Sequence, residues 1–277
     1  MTFPGHYIMP LAWVLTRFPR RKLLFDAFIS LYDTNVCDRR RVSRWHPRAW
    51  LWYIVDFVSC HLADEVIIDT EEHKKYSVRA FRLHPKKIRV IYLTSRPDLF
   101  FPKNRNSQLA TRNSFNVLFY GSYIPLHGIE YILYATAILQ DTFPRVHFTL
   151  IGSGQEQHTM FALAKKLHLR HVTFLPPVPL HELPSRIHTA DLCLGIFGTS
   201  GKVKRVIPHK VLDAVACGIP VITADTPAMR ERFCDHRLVT LCRQGDPHSI
   251  AEAILRHFSR HITQCPIRKK PAPSLIG

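Results

Sequence analysis

Acidic side chains are scarce in this chain. Its 277 residues include 21 Asp and Glu against 38 Lys and Arg, so the formal net charge is +17 at neutral pH. Such a charge implies anionic partners: nucleotide phosphates, nucleic acid or an acidic membrane surface. The apolar fraction of 46% can bury a sizeable core, and the length suggests about two domains.

Paired cysteines are absent as well. The seven cysteines are scattered without a C-x-x-C pair, and their number is odd. This pattern favours reduced, mostly buried thiols in a cytosolic protein over a disulfide framework. His257 and His261 are spaced i, i+4, but no third ligand or general base accompanies them as in a zinc-protease helix. The sequence therefore predicts no bound metal.

Long apolar runs are also missing. The longest, around residues 8–15 and 49–60, are too short for a membrane span or contain Asp56. Residues 1–10 lack the basic opening and long apolar core of a secretory signal. We therefore expect a cytoplasmic protein that is soluble or lies at the inner membrane surface.

From residue 115 onward, short β-branched runs alternate with helical stretches. This alternation is typical of βαβ crossovers and a doubly wound parallel sheet. Ligands of such sheets bind at the carboxyl ends of the strands, where several glycines and Thr226 fall. We predict strands at 117–120, 146–151, 172–175, 191–196, 220–223 and 238–241, and helices at 129–140, 156–167, 180–189, 208–217, 228–233 and 248–257.

The first hundred residues predict a thinner unit. Strands are expected at 22–25, 65–68 and 88–91, and helices at 49–62 and 71–83, the second capped by Thr70. Residues 103–113 are polar without an apolar period, which indicates a linker. The predicted organisation is a partial domain at 1–102, a linker at 103–114, a complete domain at 115–258 and a frayed tail at 259–277.

The most informative segment is KVKRVIPHKVLDAVACGIPVIT, residues 202–223. A basic loop leads into a helix that Pro208 is suited to start and Gly218 to end, and a buried strand follows. Lys210 and Asp213 are three residues apart and so share one helix face. Because the first N–H groups of a helix add to loop charge, this pattern predicts an anion site. The alternative is an ordinary solvated basic loop.

This segment resembles the donor-binding signature of the retaining "group 1" (family 4) class of GT-B glycosyltransferases. The resemblance covers roughly residues 20–258. Further blocks that carry it, in the family's order, are KLLFD (22–26), SLYD (30–33), ADEVIIDT (63–70), PDLFFP (97–102), NVLFYG (116–121), HGIE (127–130), FTLIGSG (148–154), VTFL (172–175), DTPAMRE (225–231) and GDP (245–247).

The resemblance implies a GT-B fold: a complete C-terminal Rossmann-like domain and a partial N-terminal one facing each other across a cleft. It implies a retaining, metal-independent glycosyltransferase that needs no cofactor. The expected partners are a nucleotide-sugar donor and a glycan or lipid-linked acceptor, as in envelope polysaccharide pathways. Nucleic acid is not expected as a partner. The basic segment 38–48 contacts anionic lipid or nucleic acid, or is a solvated face, which is the interpretation we favour because no nucleic-acid-binding signature accompanies it.

Site residues follow from the same resemblance. Positive groups beside the leaving nucleoside diphosphate lower the barrier, because they act where negative charge develops. The predicted catalytic residues are Arg205, Lys210 and Asp26. Asp26 stands where the family usually has a histidine, and it has a turn-capping alternative. The predicted donor-binding residues are Gly121, Ser122, His127, Gly128, Gly152, Gly154, Val178, Lys202, Asp213, Thr226 and Glu231.

Three departures from the family pattern concern these positions. Ser122 and His127 replace two cations; serine can donate to phosphate, and the histidine is charged if an anion raises its pKa. A solvated loop histidine is the alternative. Arg205 replaces the first of two glutamates, whereas Asp213 still suits the ribose hydroxyls or is a surface acid. Glu231 is equally well a surface helix acid.

The resemblance also suggests that the chain begins near the fourth strand of the family's first domain. On that reading Met1 is an internal start or the gene is a remnant, and apolar sheet surface is exposed. Two other functions stay open. One is a nucleotide-sugar-binding remnant with little transfer activity. The other is a basic nucleic-acid-binding protein, whose affinity would fall steeply as the salt concentration rises.

Overall fold

The computed structural model describes residues 5–103 and 114–264, which form two parallel sheets. Most of the predicted linker (104–113) and the end of the predicted tail (265–277) lie outside the described residues. Both sheets are covered by helices, so the predicted α/β class is confirmed. Among the described helices, none combines the length and apolar character needed to cross a bilayer.

The first sheet has three parallel strands in the order β1-β2-β3. Phe25, Val66 and Ile68 are buried between this sheet and its helices. The predicted cap is confirmed, since the Thr70 hydroxyl accepts a hydrogen bond from the His73 N–H at 3.0 Å. The elements are α1 (Met9–Leu15), β1 (Leu24–Asp26), α2 (Pro47–Leu62), β2 (Glu65–Ile68), α3 (Glu71–Phe81) and β3 (Ile88–Val90), with a π-helical segment at Asp33–Asp38.

The second sheet has six parallel strands in the order β6-β5-β4-β7-β8-β9. Chain order reverses direction between β4 and β7, which makes the sheet doubly wound as predicted. Its elements are β4 (Phe115–Tyr120), α4 (Ile129–Gln140), β5 (Val146–Ile151), α5 (Gln157–Lys166), β6 (Val172–Leu175), α6 (Leu183–Thr189), β7 (Leu192–Leu194), α7 (His209–Ala216), β8 (Val221–Ala224), α8 (Pro227–Phe233), β9 (Val239–Cys242) and α9 (Pro247–Gln264).

Strand β4 shows why the strands of this sheet are continuous apolar runs in the sequence. Val117 and Phe119 point into the core formed with α4 and α9, whereas Leu118 and Tyr120 point into the core formed with α7. Alternate side chains of a strand project to opposite faces, and both faces are buried here. Its carboxyl end therefore leads directly from a rigid core into the loop at Gly121.

The structure differs from the sequence predictions in several elements. Helix α9 continues to Gln264, past the predicted end at His257 and into the predicted tail, because Phe258 continues its apolar stripe and packs edge-on to Phe115 with ring centroids 5.6 Å apart. Helix α7 begins at His209, and Pro208 is its N-cap in an extended conformation. Helix α1 and the π-helical segment were not predicted; α1 has no side-chain cap to signal its start.

Candidate functional site

A cleft of about 800 Å³ lies between the two sheets. One wall comes from the loops after β4 and β7 and from the start of α7. The other wall comes from the segment after β1 and from α2. The cleft brings together five predicted site residues, and the other residues that line it are mostly apolar or aromatic. The five are Gly121, His127, Lys202, Lys210 and Asp213.

Lys210 is the centre of the first wall. It is the second residue of α7 and only 6% exposed, and its Nζ lies 4.2 Å from the centroid of the Phe119 ring. Among the described residues this ammonium has no hydrogen-bond partner. Burial holds the pKa of Lys210 well below its ordinary value. A buried ammonium without a counter-charge is costly, and a bound anion would offset that cost.

Gly121 makes room for this ammonium. Its φ is +141°, and a Cβ there would lie 2.9 Å from Lys210 Nζ and 3.1 Å from His127 Cε1. The His127 ring donates from Nδ1 to the Ser122 carbonyl, which leaves Nε2 as an acceptor. Burial and then the Lys210 charge hold the pKa of His127 well below its ordinary value. Without a ligand the histidine is therefore neutral, and an anion would raise its pKa.

Asp213 lies one helical turn beyond Lys210. Its Oδ1 accepts from the Ser95 hydroxyl at 2.5 Å, and the Tyr120 hydroxyl lies 3.4 Å from its Oδ2. Burial raises the pKa of Asp213. The carboxylate is thus fixed at the cleft by groups from both parts of the chain, since Ser95 precedes the linker.

A smaller cavity of about 240 Å³ adjoins the cleft at Tyr120 and Gly121 and contains the predicted residues Ser122, Gly152 and Val178. A Cβ on Gly152 would lie 2.0 Å from the Gly121 carbonyl oxygen, and one on Gly154 would lie 2.7 Å from the Tyr123 nitrogen. The two glycines therefore let the loops after β4 and β5 touch. They shape the cavity by close backbone approach.

Gly128 has a similar role on the other side of the β4 loop. Its φ is +62°, and a Cβ would lie 2.4 Å from the Gly198 nitrogen. A Cβ on Gly198 would in turn lie only 2.1 Å from the Pro125 carbonyl oxygen. This crossing of two glycine backbones fixes His127 beside the loop that follows β7.

The basic loop cations are engaged with the N-terminal part of the chain. Lys202 lines the cleft, but its Nζ donates to the Thr34 hydroxyl at 2.7 Å. Arg205 lies outside the cleft lining, pairs with Asp33 at 2.6 Å and stacks 4.0 Å from the centroid of the Tyr76 ring. Arg205 therefore faces a carboxylate rather than the cleft.

Three further predicted residues also lie outside the cleft lining. The Glu231 carboxylate accepts from the Glu71 and Glu72 N–H groups at 3.0 and 2.9 Å, which caps α3 across the boundary between the two sheets. Thr226 is buried and caps α8 by accepting from the Met229 N–H. Asp26 is exposed at the end of β1 and accepts from the Phe28 N–H at 3.1 Å, as a turn acid does.

Sequence reasoning missed Arg39, which lines the cleft from the opposite wall. Its only signal was membership of the basic segment 38–48. The segment before it is placed by Asp56 of α2, which accepts from the Leu31 and Tyr32 N–H groups at 2.9 and 2.8 Å. Asp56, noted above as an interruption of an apolar run, thus positions the wall that carries Arg39.

Within the described residues, His, Cys, Asp and Glu side chains form no group of three or more that could hold a metal ion. The six described cysteines are free thiols, and Cys60, Cys193, Cys217 and Cys242 are buried.

Fold and cleft together define an α/β protein with two parallel sheets and a cleft between them, which reaches the carboxyl edge of the larger sheet. The chain belongs to the family described as "Glycosyl transferases group 1", whose model matches residues 100–266, more than half of its length. The predicted family is confirmed. The roles assigned to individual side chains stay predictions.

The curated relatives are 24–30% identical to this chain over the aligned residues. An uncharacterized glycosyltransferase of Haemophilus influenzae is 24% identical over 72% of this chain and 52% of its own length. The chitobiosyldiphosphodolichol beta-mannosyltransferase of Kluyveromyces lactis is 24% identical over 81% of this chain and 55% of its own length. The chain thus spans about half the length of these relatives.

Solved structures show the same fold. Anabaena HepE in complex with UDP-glucose superposes with a TM-score of 0.72 at 18% identity, over 94% of this chain and 68% of that one. Sucrose-phosphate synthase from Thermosynechococcus elongatus gives a TM-score of 0.71 at 19% identity, over 92% of this chain and 63% of that one. The predicted GT-B type fold is confirmed.

Proposed function

We propose that the protein transfers a sugar from a nucleotide-sugar donor to a glycan or lipid-linked acceptor. The observation that carries this proposal is the buried, unpartnered ammonium of Lys210 beside Gly121. Family membership and the nucleotide-sugar complexes of its structural neighbours support it.

Catalysis follows from the position of that charge. Breaking the bond between sugar and phosphate leaves an oxocarbenium-like sugar and an anionic nucleoside diphosphate. An ammonium held in a low-dielectric wall stabilises the departing anion at the moment its charge develops. Lys210 is the residue we assign to this role, with His127 able to join it once a bound anion raises its pKa. Arg205 is assigned a positioning role, because its charge is committed to Asp33.

Asp213 and the smaller cavity complete the donor site in this proposal. A buried carboxylate can accept hydrogen bonds from ribose hydroxyls. Val178 and Gly152 line the smaller cavity, which shares Tyr120 with the cleft that contains Asp213. That space is the proposed nucleobase pocket. Since side-chain cations neutralise the leaving group, we propose a reaction that needs no bound metal and, on the family resemblance, retains anomeric configuration.

The acceptor wall favours a lipid-linked acceptor within this proposal. Phe28, Ile29, Leu31 and Trp52 line the cleft opposite Lys210. An apolar wall suits an amphiphilic acceptor better than a free, strongly hydrated glycan.

We further propose peripheral contact with an anionic membrane at the inner face. Leu11, Val14 and Leu15 are exposed on α1, and Phe18 just beyond it is 94% exposed. The basic residues Arg17, Arg20, Arg21 and Lys22 follow in the chain. Apolar side chains flanked by cations suit the surface of a bilayer that contains anionic lipid.

Donor binding is tested by thermal shift with UDP, GDP and ADP at millimolar concentration. A ligand that binds only the folded state raises the melting temperature. We expect a rise for one nucleotide, its loss in Lys210→Met and its retention in Lys204→Ala, a matched control because Lys204 is exposed in the same loop. No rise with any nucleotide would contradict the proposal.

Transfer and membrane contact need separate tests. Turnover of the matching nucleotide sugar should survive a chelator, and NMR of the product reports anomeric configuration. Nucleotide binding without turnover would indicate a nucleotide-sugar-binding protein instead. For the membrane, sedimentation with phosphatidylglycerol vesicles should exceed that with phosphatidylcholine vesicles and fall in Leu15→Ser. Leu180→Ser is the control, since Leu180 is also exposed (50%, against 67% for Leu15) but lies on the other domain.

A further inference from the structure

The donor wall of the cleft carries little positive charge for a diphosphate ligand. The two loop positions where the family has cations are Ser122 and His127, and the histidine is neutral in the free protein. The Lys202 ammonium donates a hydrogen bond to the Thr34 hydroxyl, and the Arg205 guanidinium donates one to the Asp33 carboxylate. Lys210 is the remaining predicted cation whose Nζ has no partner among the described residues. A nucleoside diphosphate carries several negative charges, so a second cation is expected.

The opposite wall supplies a candidate, Arg39. It follows the π-helical segment Asp33–Asp38 directly and lines the same cleft as Gly121, His127 and Lys210. Its Nε is buried and has no hydrogen-bond partner in the described part of the chain. Arg39 Nε and Lys210 Nζ are thus two side-chain nitrogens without a hydrogen-bond partner in the described part of the chain, on cationic residues that line one cleft from opposite walls.

The backbone of Arg39 is tied to the donor domain. Its carbonyl oxygen accepts from Gln155 Nε2 at 3.0 Å, and Gln155 follows the Gly154 turn. The positive charge of Arg39 also contributes to lowering the pKa values of His127 and Lys202. Both observations place the guanidinium within electrostatic reach of the donor loops.

The neighbouring carboxylates are occupied by other groups. Asp38 accepts from the Ser200 hydroxyl at 2.8 Å, and Asp33 pairs with Arg205 at 2.6 Å. Loop 200–205 thus engages the acids beside Arg39. The charge of Arg39 also acts on Asp38, and both side chains line the cleft.

We infer that Arg39 binds the phosphoryl groups of the nucleotide donor from the wall opposite Lys210, so that the anion site is completed by both domains. The inference rests on the proposed function. A guanidinium is always charged and can hold two phosphate oxygens in parallel, which an ammonium cannot. Binding of the donor would then hold the two domains together through the ligand itself.

The test compares binding of a nucleoside diphosphate with that of its nucleoside by calorimetry. In Arg39→Ala we expect the dissociation constant of the diphosphate to rise roughly tenfold or more, which is the usual scale of one charge-assisted contact, while that of the nucleoside stays within about twofold. Arg39→Lys should recover only part of the affinity. Arg44→Ala is the matched control: it is exposed, basic and in the same segment, but outside the cleft.

The outcomes separate this inference from the proposed function. Wild-type diphosphate affinity in Arg39→Ala together with lost affinity in Lys210→Met would overturn the inference and leave the proposed function standing. Equal weakening of diphosphate and nucleoside in both Arg39 variants would show that Arg39 only supports folding, and would also overturn it. Absence of diphosphate binding in the unmodified chain would overturn the proposed function itself.

Discussion

Arg205 and Asp33 form an ion pair at 2.6 Å that joins the basic loop after β7 to the π-helical segment after β1. The two side chains are 16% and 3% exposed, so the pair is largely withdrawn from water. The Thr70 hydroxyl adds a hydrogen bond to the Arg205 carbonyl at 2.5 Å. A residue predicted to be catalytic from its place in the basic loop before α7 is therefore held by Asp33, Thr70 and Tyr76 of the other domain.

Arg205→Ala should destabilise the protein strongly. Removal of one partner of a buried pair leaves the other charge uncompensated, which costs about 3–5 kcal/mol. Urea unfolding measures the loss, and Arg205→Ala combined with Asp33→Ala should be less destabilised than Arg205→Ala alone. Unchanged stability with lost turnover would instead support a catalytic role for Arg205.

Glu231→Ala should weaken folding and leave nucleotide affinity unchanged. The carboxylate caps the first turn of α3 and accepts from the Tyr92 hydroxyl at 3.0 Å, so its loss should cost roughly 0.5–2 kcal/mol, as for other helix caps. Glu252→Ala, an exposed acid within α9, is the control. If nucleotide affinity fell at unchanged stability, the donor-binding prediction for Glu231 would be upheld.

Patterns with strong periodicity were predicted well. The six strands of the larger sheet are buried or partly buried runs bounded by turns, and their existence and parallel direction follow from apolar patterning and βαβ rules. The start of α3 was predicted from Thr70, because a hydroxyl side chain at a helix N-cap is a local sequence signal. The continuation of α9 was missed because Arg256 and Arg260 make that stretch look polar, although Ile254 and Phe258 keep the apolar stripe.

The site was predicted on one wall only. Lys210 and Asp213 were grouped by their i, i+3 spacing, and Gly121 was added to them by the family resemblance. Which cation faces the cleft depends instead on long-range pairing, such as Lys202 with Thr34 across 168 residues. Arg39 carries no local signal either, because its placement depends on Asp56 in the following helix.

Gly152→Ala should lower both stability and nucleotide affinity. Its φ of +146° is strained for alanine, and the added Cβ would lie 2.0 Å from the Gly121 carbonyl oxygen, so the loops must separate. Strain of this kind costs about 1–3 kcal/mol. Gly201→Ala is the control, since its nearest neighbour is the end of the Arg205 side chain at 3.3 Å. Equal effects of the two substitutions would contradict the close-approach argument.

Lys210→Met should raise the stability of the free protein and weaken nucleotide binding. Methionine fills the space over Phe119 without a buried charge, whereas loss of a charge-assisted contact weakens binding by roughly 1.5–3 kcal/mol. Lys204→Ala should change neither quantity. Lower stability of Lys210→Met, or affinity equal to that of Lys204→Ala, would show that the ammonium does not serve an anion in this cleft.

The same residue predicts a pH dependence with a definite sign. The folded-state pKa of Lys210 lies below its unfolded value of about 10.4, so the unfolded chain binds more protons between the two pKa values. Stability should therefore rise with pH through that window, and Lys210→Met should lack this component. Stability should also rise with pH through the titration of His127, whose folded-state pKa is lowered. This second pH window is lower and ends near the unfolded pKa of histidine, about 6.5.

Donor binding should show the opposite slope. A bound anion favours the protonated forms of Lys210 and His127, so binding takes up protons and affinity rises as pH falls. A nucleotide sugar is the right probe, because its diester phosphates do not titrate near neutrality. Calorimetry at pH 6, 7 and 8 in buffers of different ionisation enthalpy measures the protons taken up directly. Because His127 is neutral in the free protein, we expect uptake in the wild type and less in His127→Gln; zero uptake in the wild type would contradict the assignment of His127 to the anion site.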